Sequence, residues 1–92
     1  MNEAVRVLIE RTYNRILKER DIAEYEYKRA SESEQYKDKY DKCEEDLKEL
    51  EESVAAEGYE FEEDEWKTVR LQQGNGVVLL RYRTYKLVPI AQ

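Results

Sequence analysis

Histidine is absent from this chain, cysteine and proline occur once each, and glycine occurs three times. Without histidine there is no Ser-His-Asp or Cys-His arrangement and none of the usual zinc sites. A single cysteine, Cys43, forbids an intrachain disulfide and fits a reducing compartment. No glycine-rich phosphate loop exists, because the GNG of residues 74–76 is too short and joins one strand pattern to another. No apolar run approaches the ~18 residues of a membrane span. The opening MNEAVRVLIER is apolar only from Ala4 to Ile9, with Arg6 inside it, so it is read as neither signal peptide nor anchor. These absences predict a soluble, cytoplasmic protein with no membrane partner, no metal and no cofactor.

What remains is charge and tyrosine. The chain has 92 residues, 41% of them charged, with eight tyrosines and a net charge of -6. That length gives a single domain, residues 1–92, with a modest core. With disulfides excluded and metals disfavoured, oligomerisation or a partner is the expected source of further burial. Charge falls into three zones. Residues 1–30 carry seven basic and six acidic residues, residues 31–65 four and sixteen, and residues 66–92 five and none, giving net charges of +1, -12 and +5.

Residues 2–57 read as helical, since neither Gly nor Pro precedes Gly58 and Ala, Leu, Glu, Lys and Arg dominate. Val5, Leu8, Ile9, Ile16 and Ala23 form a loose apolar stripe. Tyr36, Tyr40, Cys43, Leu47, Leu50 and Val54 alternate four- and three-residue steps, a coiled-coil seam. Glu24–Lys28, Asp38–Lys42 and Glu44–Lys48 are spaced as supporting i,i+4 pairs, and Gly58 is a natural stop. The two stripes are out of register across KRASESEQ. Either one helix runs through with a change of supercoil, or a helical hairpin breaks near 31–33, where Ser31 and Glu34 fit a capping box. The lack of Gly, Pro, Asn or Asp at that point favours the continuous helix, which needs a second chain against its seam.

After Gly58 the period changes to two. Residues 58–65 read as an acidic connector or a short strand. Residues 66–88 read as a β-hairpin turning on Gly74–Asn75, with Gln73 opposite Gly76, Leu71 opposite Val78 and Val69 opposite Leu80. Lys67, Val69, Leu71, Val78, Leu80 and Tyr82 then share one face. Trp66, Thr68, Arg70, Gln72, Val77, Leu79, Arg81 and Arg83 share the other. Pro89 ends the second strand. The expected fold is therefore α+β: a long N-terminal helix or helical hairpin followed by a small antiparallel β-hairpin.

Two surfaces are candidates for function. Glu57, Glu60, Glu62, Glu63, Asp64 and Glu65 form the densest acidic face, which could dock a basic partner or imitate a nucleic-acid backbone. Arg70, Arg81, Arg83 and Tyr85 form a basic ribbon face on which phosphates could be tracked and bases stacked. Catalysis is not expected. Cys43 sits in the seam beside Asp41, Glu44 and Glu45, which oppose a thiolate, and carboxylate pairs such as Asp41–Glu45 have no concave pocket in a helix and hairpin. The composition fits an acidic, non-enzymatic interaction protein: a dimeric adaptor or inhibitor that docks on a larger basic protein. Its small, histidine-free style matches a virus- or mobile-element-encoded regulator. The competing readings are a nucleic-acid-binding module using residues 66–88 and a structural coiled-coil assembly subunit.

Overall fold

The computed structural model describes residues 1–29 and 34–91. Helix α1 runs Glu3–Arg29 and helix α2 runs Glu34–Ala56, followed by strands β1, Tyr59–Gln73, and β2, Gly76–Pro89. The fold is α+β, measuring 49 × 24 × 21 Å. No described helix is long and apolar enough to cross a membrane. Asn2 caps α1 by accepting the Val5 N–H on its Oδ1 at 2.8 Å. Gly58, at φ +84°, ends the helical region in the left-handed conformation that glycine adopts most cheaply.

The helices lie side by side, antiparallel. Tyr13 donates its hydroxyl to Glu51 at 2.6 Å, and Arg20 bonds Glu44 at 3.0 Å. Both pairs have residue numbers summing to the same value, as an antiparallel hairpin requires. A continuous helix over 2–57 is thus corrected to a hairpin. The break near 31–33 and its capping box fall outside the described residues. The local composition favoured continuity, but the apolar faces of α1 and α2 bury each other once the chain doubles back.

Packing explains which apolar residues matter. Tyr13, Ile16, Leu17, Cys43 and Leu47 form the core, with Leu50, Phe61 and Tyr85 packed against it. The predicted seam therefore faces its own chain: Cys43, Leu47 and Val54 are buried, and Tyr36, Tyr40 and Leu50 are half-buried. The second chain that a continuous helix required against this seam is replaced by α1. In α1 the core face is Tyr13, Ile16, Leu17 and Ala23, while Val5 and Leu8 stay exposed, Leu8 at 65%. Glu24–Lys28 forms as expected at 2.9 Å. Lys42 instead pairs with Asp46, and Glu44 with Arg20 across the helices.

The ribbon is longer than the sequence implies. Residues 59–65, read as a connector or a short strand, are the first half of β1 and pair with β2 from Tyr59↔Pro89 to Glu63↔Tyr85. The predicted register Gln73↔Gly76, Leu71↔Val78 and Val69↔Leu80 is present. Gly74 has φ +56°, and among the described residues no non-glycine residue has positive φ, which makes the two-residue turn type II′. A bulge interrupts the ladder between Glu63 and Trp66. Thr84, buried, closes it by donating its hydroxyl to Glu65 O at 2.7 Å and accepting the Glu65 N–H at 3.2 Å.

Helix α1 seals the edge of β2 with polar side chains. Asn14 Nδ2 donates to Tyr85 O at 2.9 Å while its Oδ1 accepts the Tyr85 N–H at 2.8 Å. Glu10 accepts the Leu87 N–H at 3.1 Å, and Arg6 donates to Leu87 O at 3.0 Å. Four helical residues rise ~6 Å and two strand residues ~6.8 Å, so a four-residue helical step keeps pace with every second residue of the strand.

Candidate interaction surfaces of the ribbon

The bulge divides the ribbon into two halves with different exposures. In β2 the less exposed residues are Val78, Leu80, Tyr82 and Thr84 towards the turn, then Tyr85 and Leu87 towards the end. Burial therefore changes strand face at the bulge, where local twist increases. Near the turn the predicted apolar face lies towards the helices, as Gln73 bonding Glu26 at 2.8 Å confirms for the tip. Near the base the opposite face turns inwards.

This switch splits the predicted basic face. Arg70 and Arg81 are exposed, and Arg83 is half-exposed. Tyr85 shares their strand parity but packs edge-on to Tyr13, with ring centroids 5.7 Å apart. It belongs to the core and not to a stacking platform. The residue that strand alternation also placed on this face, Trp66, takes the aromatic role. The Arg81 and Arg83 guanidiniums lie over its ring at 4.9 and 5.2 Å. Trp66, Val77 and Leu79 are 53%, 46% and 64% exposed, so this outer face is both cationic and apolar.

All six residues of the predicted acidic face are exposed. Glu57 sits in the turn after α2, and the other five lie on β1. Among the described residues only Glu63 forms an ion pair, with Arg83 at 3.1 Å. Glu62 stands opposite Lys86 in the ladder without an ion pair between them. Among the described residues, the internal neutralisation that -12 beside +5 invites is therefore confined to one bridge between these zones. On the helices, by contrast, Arg15–Glu19, Glu24–Lys28, Lys37–Asp41 and Lys42–Asp46 are paired.

The interior holds two polar groups that the sequence did not single out, Tyr13 and Asp21, beside Cys43, which it did. Tyr13 stacks flat on Phe61, with ring centroids 3.7 Å apart and planes 7° from parallel. Burial, then its hydrogen bond to Glu51, pushes the Tyr13 hydroxyl well above the usual phenol range. Burial also raises the Asp21 carboxyl, against the lowering effect of the adjacent Arg20. Cys43 is a buried free thiol, raised first by burial and then by the Glu19 carboxylate. Among the described residues no cluster of three or more acidic or cysteine side chains could hold a metal ion. The signal for Tyr13 was its position three and four residues before Ile16 and Leu17.

Comparison with protein-family models, with curated proteins and with solved structures finds no match to this chain.

Proposed function

We propose that this chain is a non-enzymatic interaction module, an adaptor or inhibitor that docks by its acidic face on a larger, basic protein. One observation carries the reading. Glu57, Glu60, Glu62, Asp64 and Glu65 are exposed and unpaired among the described residues, although Lys67, Arg70 and Arg81 stand on the same ribbon. Crowded carboxylates repel one another, and a cationic partner surface relieves that repulsion. A protein whose own ligand is nucleic acid suits the role, since it already presents cations to a row of negative charges.

The test is affinity capture from a nuclease-treated lysate of the source cells. Wild-type bait is compared with Glu60→Gln/Glu62→Gln/Asp64→Asn/Glu65→Gln bait. A near-stoichiometric basic protein, released by salt and missing from the variant, supports the reading. Equal capture by both baits overturns it. The competing use of the outer face for nucleic acid is favoured by the grouping of Arg70, Arg81 and Arg83 with Trp66. It is weakened by Tyr85 lying in the core and by the guanidiniums over Trp66. Oligonucleotide binding that disappears in Arg81→Glu/Arg83→Glu would reinstate it.

A further inference from the structure

We infer that the apolar groove between the opening turns of α1 and the closing turns of α2 receives a basic amphipathic helix of the docked protein. The inference rests on the reading of the acidic zone as a docking surface, and names the element of the partner that meets it.

The ribbon leaves part of the helical hairpin uncovered. Arg6, Glu10 and Asn14 hold the ribbon on one side of α1. On another side, Val5 and Ile9 of α1 and Leu50 and Val54 of α2 line a cleft of about 460 Å³, with Ser53 and Glu57 on its α2 rim. None of the residues lining this cleft belongs to the ribbon. Val5 and Leu8 are exposed, and with Val7 they are the only exposed large aliphatic residues of the described helices. All three fall in the first two turns of α1. Apolar side chains gathered at one end of a hairpin mark a contact surface.

The walls decide the form of the occupant. Val5 and Ile9 make one i,i+4 ridge and Leu50 and Val54 another, each stepping ~6 Å along its helix. Side chains of a third helix repeat at the same step and pack between such ridges. A strand laid there would bury backbone groups with no partner, because the walls are helices whose own groups are already bonded. Charge decides the sign. Residues 46–65 hold ten acids and one base, Lys48. Glu49, one turn before Ser53, and Glu57 form no ion pair among the described residues. Apart from the amino terminus, the one base among residues 1–9 is Arg6, and it is engaged with Leu87 O. A cationic helix relieves this charge. A second copy would bring the same acids to the groove, and an anionic lipid surface would add to them.

The experiment titrates the full chain into a fluorescent peptide of about 15 residues, roughly four helical turns. The peptide carries Leu at i, i+3, i+4 and i+7, with Lys and Ala elsewhere. Its control has the same composition with the Leu stripe broken. Fluorescence anisotropy should show saturable one-to-one binding of the striped peptide, weakened by salt, and binding of the control about tenfold weaker. Val5→Gln/Leu8→Gln should weaken the striped peptide about tenfold through lost apolar contact. Both positions are exposed, so the circular-dichroism spectrum should not change. Glu49→Gln/Glu57→Gln should also weaken binding and flatten its salt dependence. Amide NMR shifts should cluster around Val5, Ile9, Leu50 and Val54. No saturable binding, equal binding of the two peptides, wild-type binding by Val5→Gln/Leu8→Gln, or shifts confined to the ribbon overturns the inference. Lysate capture separates it from the reading beneath. A basic protein lost with Glu60→Gln/Glu62→Gln/Asp64→Asn/Glu65→Gln but kept with Val5→Gln/Leu8→Gln would sink the helix in the groove alone. Capture indifferent to those four acids would sink the docking reading.

Discussion

Asn14 pairs with the backbone of Tyr85 as a neighbouring strand would, giving one hydrogen bond at 2.9 Å and taking one at 2.8 Å. A single side-chain amide thereby fixes where the ribbon sits on α1. Replacing it by Leu leaves a donor and an acceptor of the strand without their partner. Asn14→Leu is expected to cost about 1–3 kcal/mol in urea unfolding. Native-state hydrogen exchange should show faster exchange at the Tyr85 amide than at amides near the turn. Unchanged Tyr85 exchange would show that the amide pairing does not hold the edge.

Thr84 makes the bulge a built feature and not a fault. Its hydroxyl serves both backbone groups of Glu65. Thr84→Val keeps the shape but removes both bonds, and should destabilise the fold by about 1–3 kcal/mol. Thr84→Ser retains the hydroxyl and should recover most of that loss. Equal midpoints for the Val and Ser variants in denaturant would remove the hydroxyl from the account.

The alkaline limb of stability should carry a signature of Tyr13. Its pKa is raised by burial and by the bond to Glu51, so the native state keeps a proton that the unfolded chain releases. The associated stability is present below the unfolded tyrosine pKa of about 10 and is lost as pH rises above it. Thermal midpoints should fall between pH 9 and 11 (values of about one unit either side of that pKa) more steeply in wild type than in Tyr13→Phe. Parallel curves would place the alkaline transition elsewhere.

Gly74 occupies φ +56°, yet a Cβ built there meets nothing within 4 Å. Any cost of Gly74→Ala is therefore conformational, about 1 kcal/mol. Chemical synthesis with D-alanine at the same position should reverse the sign, since that residue favours positive φ. Equal destabilisation by both alanines would point to a steric cause.

The sequence was most informative where the signal was local. The register of residues 69–80, the glycine turn and the stop at Gly58 were all legible, because each depends on a few neighbouring residues. The seam from Tyr36 to Val54 was also legible as a buried face. Its partner was not, since apolar spacing records that a face must be covered and never by what. The acidic run 59–65 read equally as a connector or a short strand because five carboxylates in seven residues surround the alternation of Tyr59 and Phe61.

The basic face shows the same division. Alternation placed Arg70, Arg81 and Arg83 together with Trp66, and the guanidiniums of Arg81 and Arg83 lie over that ring. It also placed Tyr85 there, and a bulge on the opposite strand moved that residue into the core. By itself, then, the sequence determined the element types, the hairpin register, the charge polarity of the ribbon and the absence of histidine chemistry. These are set by composition and by contacts over a few residues. Only the tertiary structure decided the doubling-back of the helices and the sealing of β2 by Arg6, Glu10 and Asn14. Those depend on groups far apart in the chain (24 residues between Arg20 and Glu44, 38 between Tyr13 and Glu51, 71 between Asn14 and Tyr85, 81 between Arg6 and Leu87) meeting at matched spacing, which no local pattern encodes.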